Sequence, residues 1–151
     1  VFRVPLMVRH PGGIGAGERS RVLVQHTDIT AEILQRAGIE NHEIDGTPFF
    51  ESALDGVEYR DHITVAWGSA FTVVTDEWWF NCKANGKGGF LYGLVEDDPD
   101  RINHMDEHPD IAGELFGLAL EDAGGRFPEW IVELADRALD APGCSDLVPR
   151  P

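Results

Sequence analysis

One stretch, Phe71 to Asn103, limits the folds open to this chain more than any other; it reads FTVVTDEWWFNCKANGKGGFLYGLVEDDPDRIN. Apolar and aromatic strand formers are interrupted there by Asp76-Glu77 and again by Asn85 to Gly89. Such runs, cut by short turn-forming segments, pair with their neighbours in sequence, so the stretch predicts an antiparallel meander of three strands. Ile63 to Trp67 begins that meander. Trp78, Phe80 and Phe90 offer the ring surface to anchor a small sheet against a covering helix. This is the pattern of a core, and chemistry must come from what the core is attached to.

Around it, 151 residues suffice for one ordinary domain, and a hydrophobic share of 42% with a charged share of 26% is that of a globular protein. The formal net charge is −15, and a field of that sign repels nucleic acid and anionic lipid, so neither is expected as a partner. Lys83 and Lys87 are the only lysines. No apolar run approaches the roughly 20 residues of a membrane span, and no charged segment followed by an apolar core opens the chain. Cys82 and Cys144 make neither a disulfide framework nor a metal site.

Val4 to Val8 is a nearly continuous apolar run that predicts a strand buried on both faces of a parallel sheet, with Pro5 as the discordant residue. It follows almost directly on Val1, where termini ordinarily carry polar slack, so the expectation is the tail of a longer protein or a processed product. The glycine-rich loop from His10 to Gly17 lacks the Gly-Lys-Ser/Thr of a phosphate cradle and reads as a turn-rich connector. Val22 to Val24 suggests a second strand. Asp28 is then placed to cap a helix carrying Ile29, Ile33, Leu34 and Ala37, ended by Gly38. Residues 41–62 read as a link between subdomains, with a turn at Asp45-Gly46-Thr47-Pro48 and a pin at Phe49-Phe50. After the meander, Pro109 opens a helix whose stripe of Ile111, Leu115, Leu118 and Ala119 can lie on the sheet, and Gly124-Gly125 stops it. A last helix starts at Pro128, burying Trp130, Ile131, Leu134, Ala138 and Leu139, and ends at Pro142-Gly143 before a loose tail.

Three clusters could carry chemistry. His104 and His108 stand four apart, as zinc ligands on a helix do, but the residue before Pro109 is pushed out of helical geometry, so the expectation is a solvated loop with no metal. His26 and Asp28 sit together at a helix start, where ligands of α/β sheets collect, yet capping already accounts for Asp28. Asp97-Asp98-Pro99-Asp100 lacks the glycine and closing glutamate of a calcium loop and reads as a capped turn. No Gly-x-Ser-x-Gly, His-Glu-x-x-His or Cys-x-x-Cys occurs. The residues alone present no active site.

Four segments in order nevertheless resemble the sulfatases. RVPLMVRHPG, Arg3 to Gly12, is similar to the stretch those enzymes carry after their Asp-Asn-Gly metal motif. VQHTDITAEILQRAGI, Val24 to Ile39, resembles the segment in which a histidine and an aspartate precede a helix ending in Ala-Gly-Ile. Asp45-Gly46-Thr47-Pro48-Phe49 stands in the place of Asp-Gly-x-Ser-Leu, and LYGLVEDDPDRIN, Leu91 to Asn103, resembles the late Leu-Tyr-Asp-Leu and Asp-Pro signature. The departures are Gly93 for aspartate, one extra residue before Asp98-Pro99, Arg101 for glutamate, Thr30 to Leu34 for Thr-Pro-Thr-Leu-Leu, and Val73-Val74-Thr75 for Val-Arg-Thr. They mark a divergent branch.

The resemblance implies the C-terminal part of an alkaline-phosphatase-like α/β fold: a strand, loop and helix of the main sheet, then a small antiparallel sheet with covering helices. Residues 1–40 would end the main domain, 41–62 link, 63–123 form the C-terminal subdomain, and 124–151 a terminal helix and tail. It also implies a parent enzyme that cleaves sulfate esters with a formylglycine and a calcium ion, or a phosphodiesterase or phosphonate monoester hydrolase of the same superfamily. This chain carries neither the Cys/Ser-x-Pro-x-Arg precursor motif nor Asp-Asn-Gly: Cys144 continues as Ser145-Asp146-Leu147 and Cys82 as Lys83-Ala84-Asn85. It is therefore expected to be silent alone, with the rest of the sulfatase chain as partner and His10 and Trp67 on the rim of the substrate pocket. The competing expectation is a free-standing acidic interaction module.

Overall fold

A computed structural model describes residues 4–39, 43–94 and 102–137, which divide into two units, Val1–Asp61 and His62–Pro151. The Asp97 to Asp100 turn, Ala138, Leu139, Pro142-Gly143 and Cys144 lie outside the described residues. No helix among the described residues is long and apolar enough to cross a membrane.

The first unit holds two helices, α1 (His26–Arg36) and α2 (Phe50–Asp55). Neither Val4 to Val8 nor Val22 to Val24 is a strand. A parallel strand needs a neighbour to take its N–H and C=O groups, and the described residues of this unit supply none. The first run instead forms no ladder and its side chains are exposed, Met7 at 92%. The glycine-rich loop folds as successive turns, in which Gly13 N–H donates to the His10 carbonyl and Ala16 N–H to that of Gly13, at 3.1 Å each. Gly12, Gly13, Gly15 and Gly17 all take positive φ there.

The first helix starts three residues earlier than expected. Gln25 is its N-cap, and Asp28 sits one turn in, its carboxylate reaching back to the Gln25 N–H at 2.6 Å. Its inward face is also not the apolar stripe, since Ile33 is exposed while Asp28, Ala31 and Glu32 are buried. Gly38, at φ +74°, ends it, and Ile39 N–H returns to the Leu34 carbonyl at 2.9 Å.

The second unit is built on four antiparallel strands in sequential order: β1 (Ile63–Trp67), β2 (Ala70–Val74), β3 (Trp78–Lys83) and β4 (Phe90–Gly93). The polar interruptions are its turns. At the second of its three connections, the Thr75 hydroxyl accepts from the N–H groups of Glu77 and Trp78. Register pairs Val73 with Phe80 and Phe80 with Leu91, which puts them on one face with Phe71 and Cys82. Helix α3 (Pro109–Asp122) covers that face with Ala112, Leu115 and Ala119, and Ile111 and Leu118 pack at its margin. Phe71 is the hub of the rings, 5.4 Å from Phe116 and 5.1 Å from Phe127 by centroid. Gly124 and Gly125, both at positive φ, end α3, and α4 (Glu129–Asp136) follows.

Two aromatics are not where the sequence put them. Period-two alternation along β4 sends Leu91 into the core, so Phe90 lies on the opposite face, in a row with Tyr92 and Trp79. Trp130 is exposed at the start of α4, where Ala135 is the buried residue.

Candidate functional site

In the first unit the polar residues converge on the inward face of α1. Asp28 and Glu32 are one turn apart, so their carboxylates emerge on the same side. Asp28 is 0% exposed. Its Oδ1 accepts from Thr47 N–H at 2.9 Å and Arg60 Nη2 at 2.7 Å, and its Oδ2 from Gln25 N–H at 2.6 Å and the Tyr59 hydroxyl at 3.1 Å. Glu32 Oε2 accepts from the N–H groups of Phe49 and Phe50, both at 3.0 Å, while its Oε1 holds Arg36 Nε at 2.5 Å. Buried carboxylates are tolerated only when their oxygens are satisfied in this way. The segment read as a link is thereby bound, from Thr47 to Arg60, to α1 within the first unit. Gly46 lets the chain pass: a methyl carbon there would lie 2.1 Å from the Thr27 carbonyl oxygen.

His10 stands at the edge of this assembly. Its ring stacks on Phe50 at 4.9 Å, and Arg36 lies over the same phenyl at 4.7 Å. Nε2 meets Arg36 Nη1 at 2.9 Å and Nδ1 meets the Pro11 carbonyl at 2.6 Å, a pair of contacts satisfied by the Nδ1–H tautomer, which donates to Pro11 and accepts from Arg36. Trp67, the other expected rim residue, belongs to the second unit, at the end of β1, and is 82% exposed. His26 is exposed, and the saturated Asp28 has no oxygen left to pair with it. The pair singled out as a cluster that could carry chemistry is thus a structural carboxylate beside an exposed histidine.

Burial and then the charge of Asp28 push the Tyr59 phenol up from 10.0 to about 12, against the opposing pull of Arg60. A phenol whose folded pKa exceeds its unfolded value stabilises the fold fully below pH ~10 and loses that contribution as pH rises toward 12. Of the two tyrosines, Tyr59 should give the late phase in a tyrosinate absorbance titration, and Tyr59→Phe should abolish that phase; a variant that keeps it would place the shift elsewhere.

In the second unit the segment after β4 gathers a second group. Asn103 Oδ1 accepts from Leu91 N–H at 3.0 Å and Met105 N–H at 3.1 Å, and His104 N–H donates to the Leu91 carbonyl at 2.8 Å. The chain then makes one turn, with Glu107 N–H and His108 N–H both returning to the His104 carbonyl at 3.1 and 2.9 Å. His108, at φ −129° and ψ 60°, is non-helical, as its position before Pro109 requires. The isolated turn nonetheless brings the two imidazoles to 6.2 Å, with Trp78 at 6.1 and 5.3 Å from them. Glu107 Oε2 lies 2.7 Å from His104 Nδ1. The proline argument correctly excludes a helix but not this convergence, because a single turn spans the same five residues. Among the described residues, His104, Glu107 and His108 are the group whose ligand atoms could surround a metal ion, all within 4.8 Å of one another.

The sequence reading found Asp28 but missed Glu32, Tyr59 and Arg60. The available signal was a carboxylate pair at helical spacing, with Glu32 at a position where a buried helix face would ordinarily be apolar. Comparison of the chain with protein-family models and with the curated proteins finds no match to either.

Proposed function

We propose that this chain is the C-terminal part of a sulfatase-like hydrolase and supplies that enzyme with scaffold and pocket wall. The four ordered resemblances are the basis of the reading. The observation that carries it furthest is Val4 to Val8, an apolar segment with exposed side chains in a unit whose described residues hold no strand. Such a segment suits the interior of a sheet whose other strands lie elsewhere in the enzyme.

The formylglycine and calcium implied by the resemblance do not fit this chain's own residues. Cys82 is buried between sheet and helix, and that burial raises its thiol pKa. Asp28 has both oxygens committed to protein donors. The nucleophile and metal ligands would come from the preceding chain. In the parent enzyme His10 and Trp67 are each proposed as rim residues.

The deciding measurement is the coding sequence ahead of Val1, followed by assay of the whole product on sulfate and phosphate esters. The expected result is a Cys/Ser-x-Pro-x-Arg motif, then Asp-Asn-Gly shortly before Val1, and sulfate-ester hydrolysis that disappears when the motif's Cys or Ser is replaced. A reading frame without those motifs would overturn the proposal. Unchanged kinetics in His10→Ala and Trp67→Ala whole-enzyme variants would remove the rim assignment alone.

A further inference from the structure

We propose that His104, Glu107 and His108 form a binding site for a divalent transition-metal ion, zinc by preference, on the second unit and independent of the sulfatase reading. Two imidazoles and a carboxylate are a donor set that borderline first-row ions favour over calcium or magnesium, which take all-oxygen shells. Three protein ligands also leave a tetrahedral ion one position for water or an exchangeable ligand.

The backbone has already arranged the site. Leu91 fixes the Asn103-His104 end through the Asn103 carboxamide and the His104 N–H, and the His108 N–H to His104 carbonyl bond closes the turn. Pro109 then fixes the direction in which α3 departs. Trp78 backs both rings, so their mobility is limited on one side. The ligand atoms lie within 4.8 Å of one another, against roughly 3.3 Å for neighbouring ligands on tetrahedral zinc with bonds near 2.0–2.1 Å. Glu107 and His104 already meet at 2.7 Å, and the remaining adjustment is a matter of side-chain torsion at these partly exposed positions.

Electrostatics must be weighed, because the N-terminus of α3 is the positive end of its dipole and opposes a cation. Asp106 and Asp110 flank the site in sequence, Glu107 itself is anionic, and the chain carries −15 overall. The dipole effect at an exposed terminus is small beside two imidazole bonds and a carboxylate bond to zinc. Without metal, His104 and Glu107 satisfy each other. On binding, the ion takes one nitrogen from each neutral imidazole and one Glu107 oxygen, and any proton on a ligating nitrogen passes to solvent.

The test is titration of the full 151-residue chain with Zn²⁺ by calorimetry and with Co²⁺ by visible absorption. The expected result is one saturable equivalent and ligand-field bands of a four-coordinate Co²⁺ site. Loss of outer-shell partners alone typically weakens metal sites 10–100-fold, so His104→Gln and His108→Gln should each weaken binding by roughly tenfold or more. His26→Gln, at an exposed histidine of the first unit, should leave it unchanged. Both ligand substitutions are at partly exposed turn positions, and circular dichroism of each variant checks that the fold is retained. Absence of saturable binding, or equal binding by the His104→Gln/His108→Gln double variant, would overturn the site.

Discussion

Asp28→Ala should destabilise the first unit by about 3–5 kcal/mol, the range found when one partner of a buried ion pair is removed. The substitution does more than delete a salt bridge. It leaves the Arg60 guanidinium without its partner at 2.7 Å and strands the N–H groups of Gln25 and Thr47 and the Tyr59 hydroxyl. Each stranded donor adds a desolvation cost. Asp28→Asn keeps the shape and some accepting capacity but forfeits the charge opposite Arg60, so its loss should be the smaller of the two. Because all four tryptophans lie from Trp67 onward, emission reports on the second unit, and hydrogen exchange of the α1 amides is the suitable measurement. Protection of those amides equal to that of the parent protein would mean that the carboxylate does not organise the unit.

Phe80→Ala should cost the second unit about 3–5 kcal/mol. Phe80 occupies the centre of β3, faces Val73 on one neighbouring strand and Leu91 on the other, and meets Phe71 edge to face at 5.9 Å. Its neighbours are anchored by the ladder and by α3, so the cavity can collapse only partly, which is the condition for the upper part of that range. Urea unfolding followed by tryptophan emission should show the midpoint falling with little change in slope. A loss under about 1 kcal/mol would show that the sheet and helix close over the vacancy, at odds with a core packed this way.

These two residues also show which parts of the fold the sequence made legible. Phe80 sits in a run of strand formers bounded by turn signals, and local pairing follows from local pattern, so the meander, the Pro109 start of α3 and its Gly124-Gly125 stop all appear in the structure as read. Phe90 and Trp130 were misplaced because a large ring signals burial somewhere without saying on which face. In the first unit the stabilising contacts are carboxylate to backbone and carboxylate to arginine, across separations for which hydrophobic periodicity carries no signal. Val4 to Val8 shows the opposite limit: its composition states a preference for a sheet interior, but pairing needs a neighbouring strand that the described residues of the first unit do not contain. The His104 to His108 spacing is visible as a motif, but the constraint that Pro109 places on His108 bears on helices, and the turn that brings these residues together needs none.

The inward face of α1 has a consequence for how the protein is made. The helix is 11 residues long, below the roughly 12–15 at which isolated helices become even marginally stable in water. Its partners Thr47, Phe49, Phe50, Tyr59 and Arg60 lie 17 to 32 residues downstream of the carboxylates they satisfy. During synthesis α1 therefore leaves the ribosome before these downstream partners, and Asp28 lacks its guanidinium partner until Arg60 has emerged. At roughly 5–20 residues per second that interval is on the order of seconds. The set of contacts on the inward face of α1 is complete only once Arg60 is available.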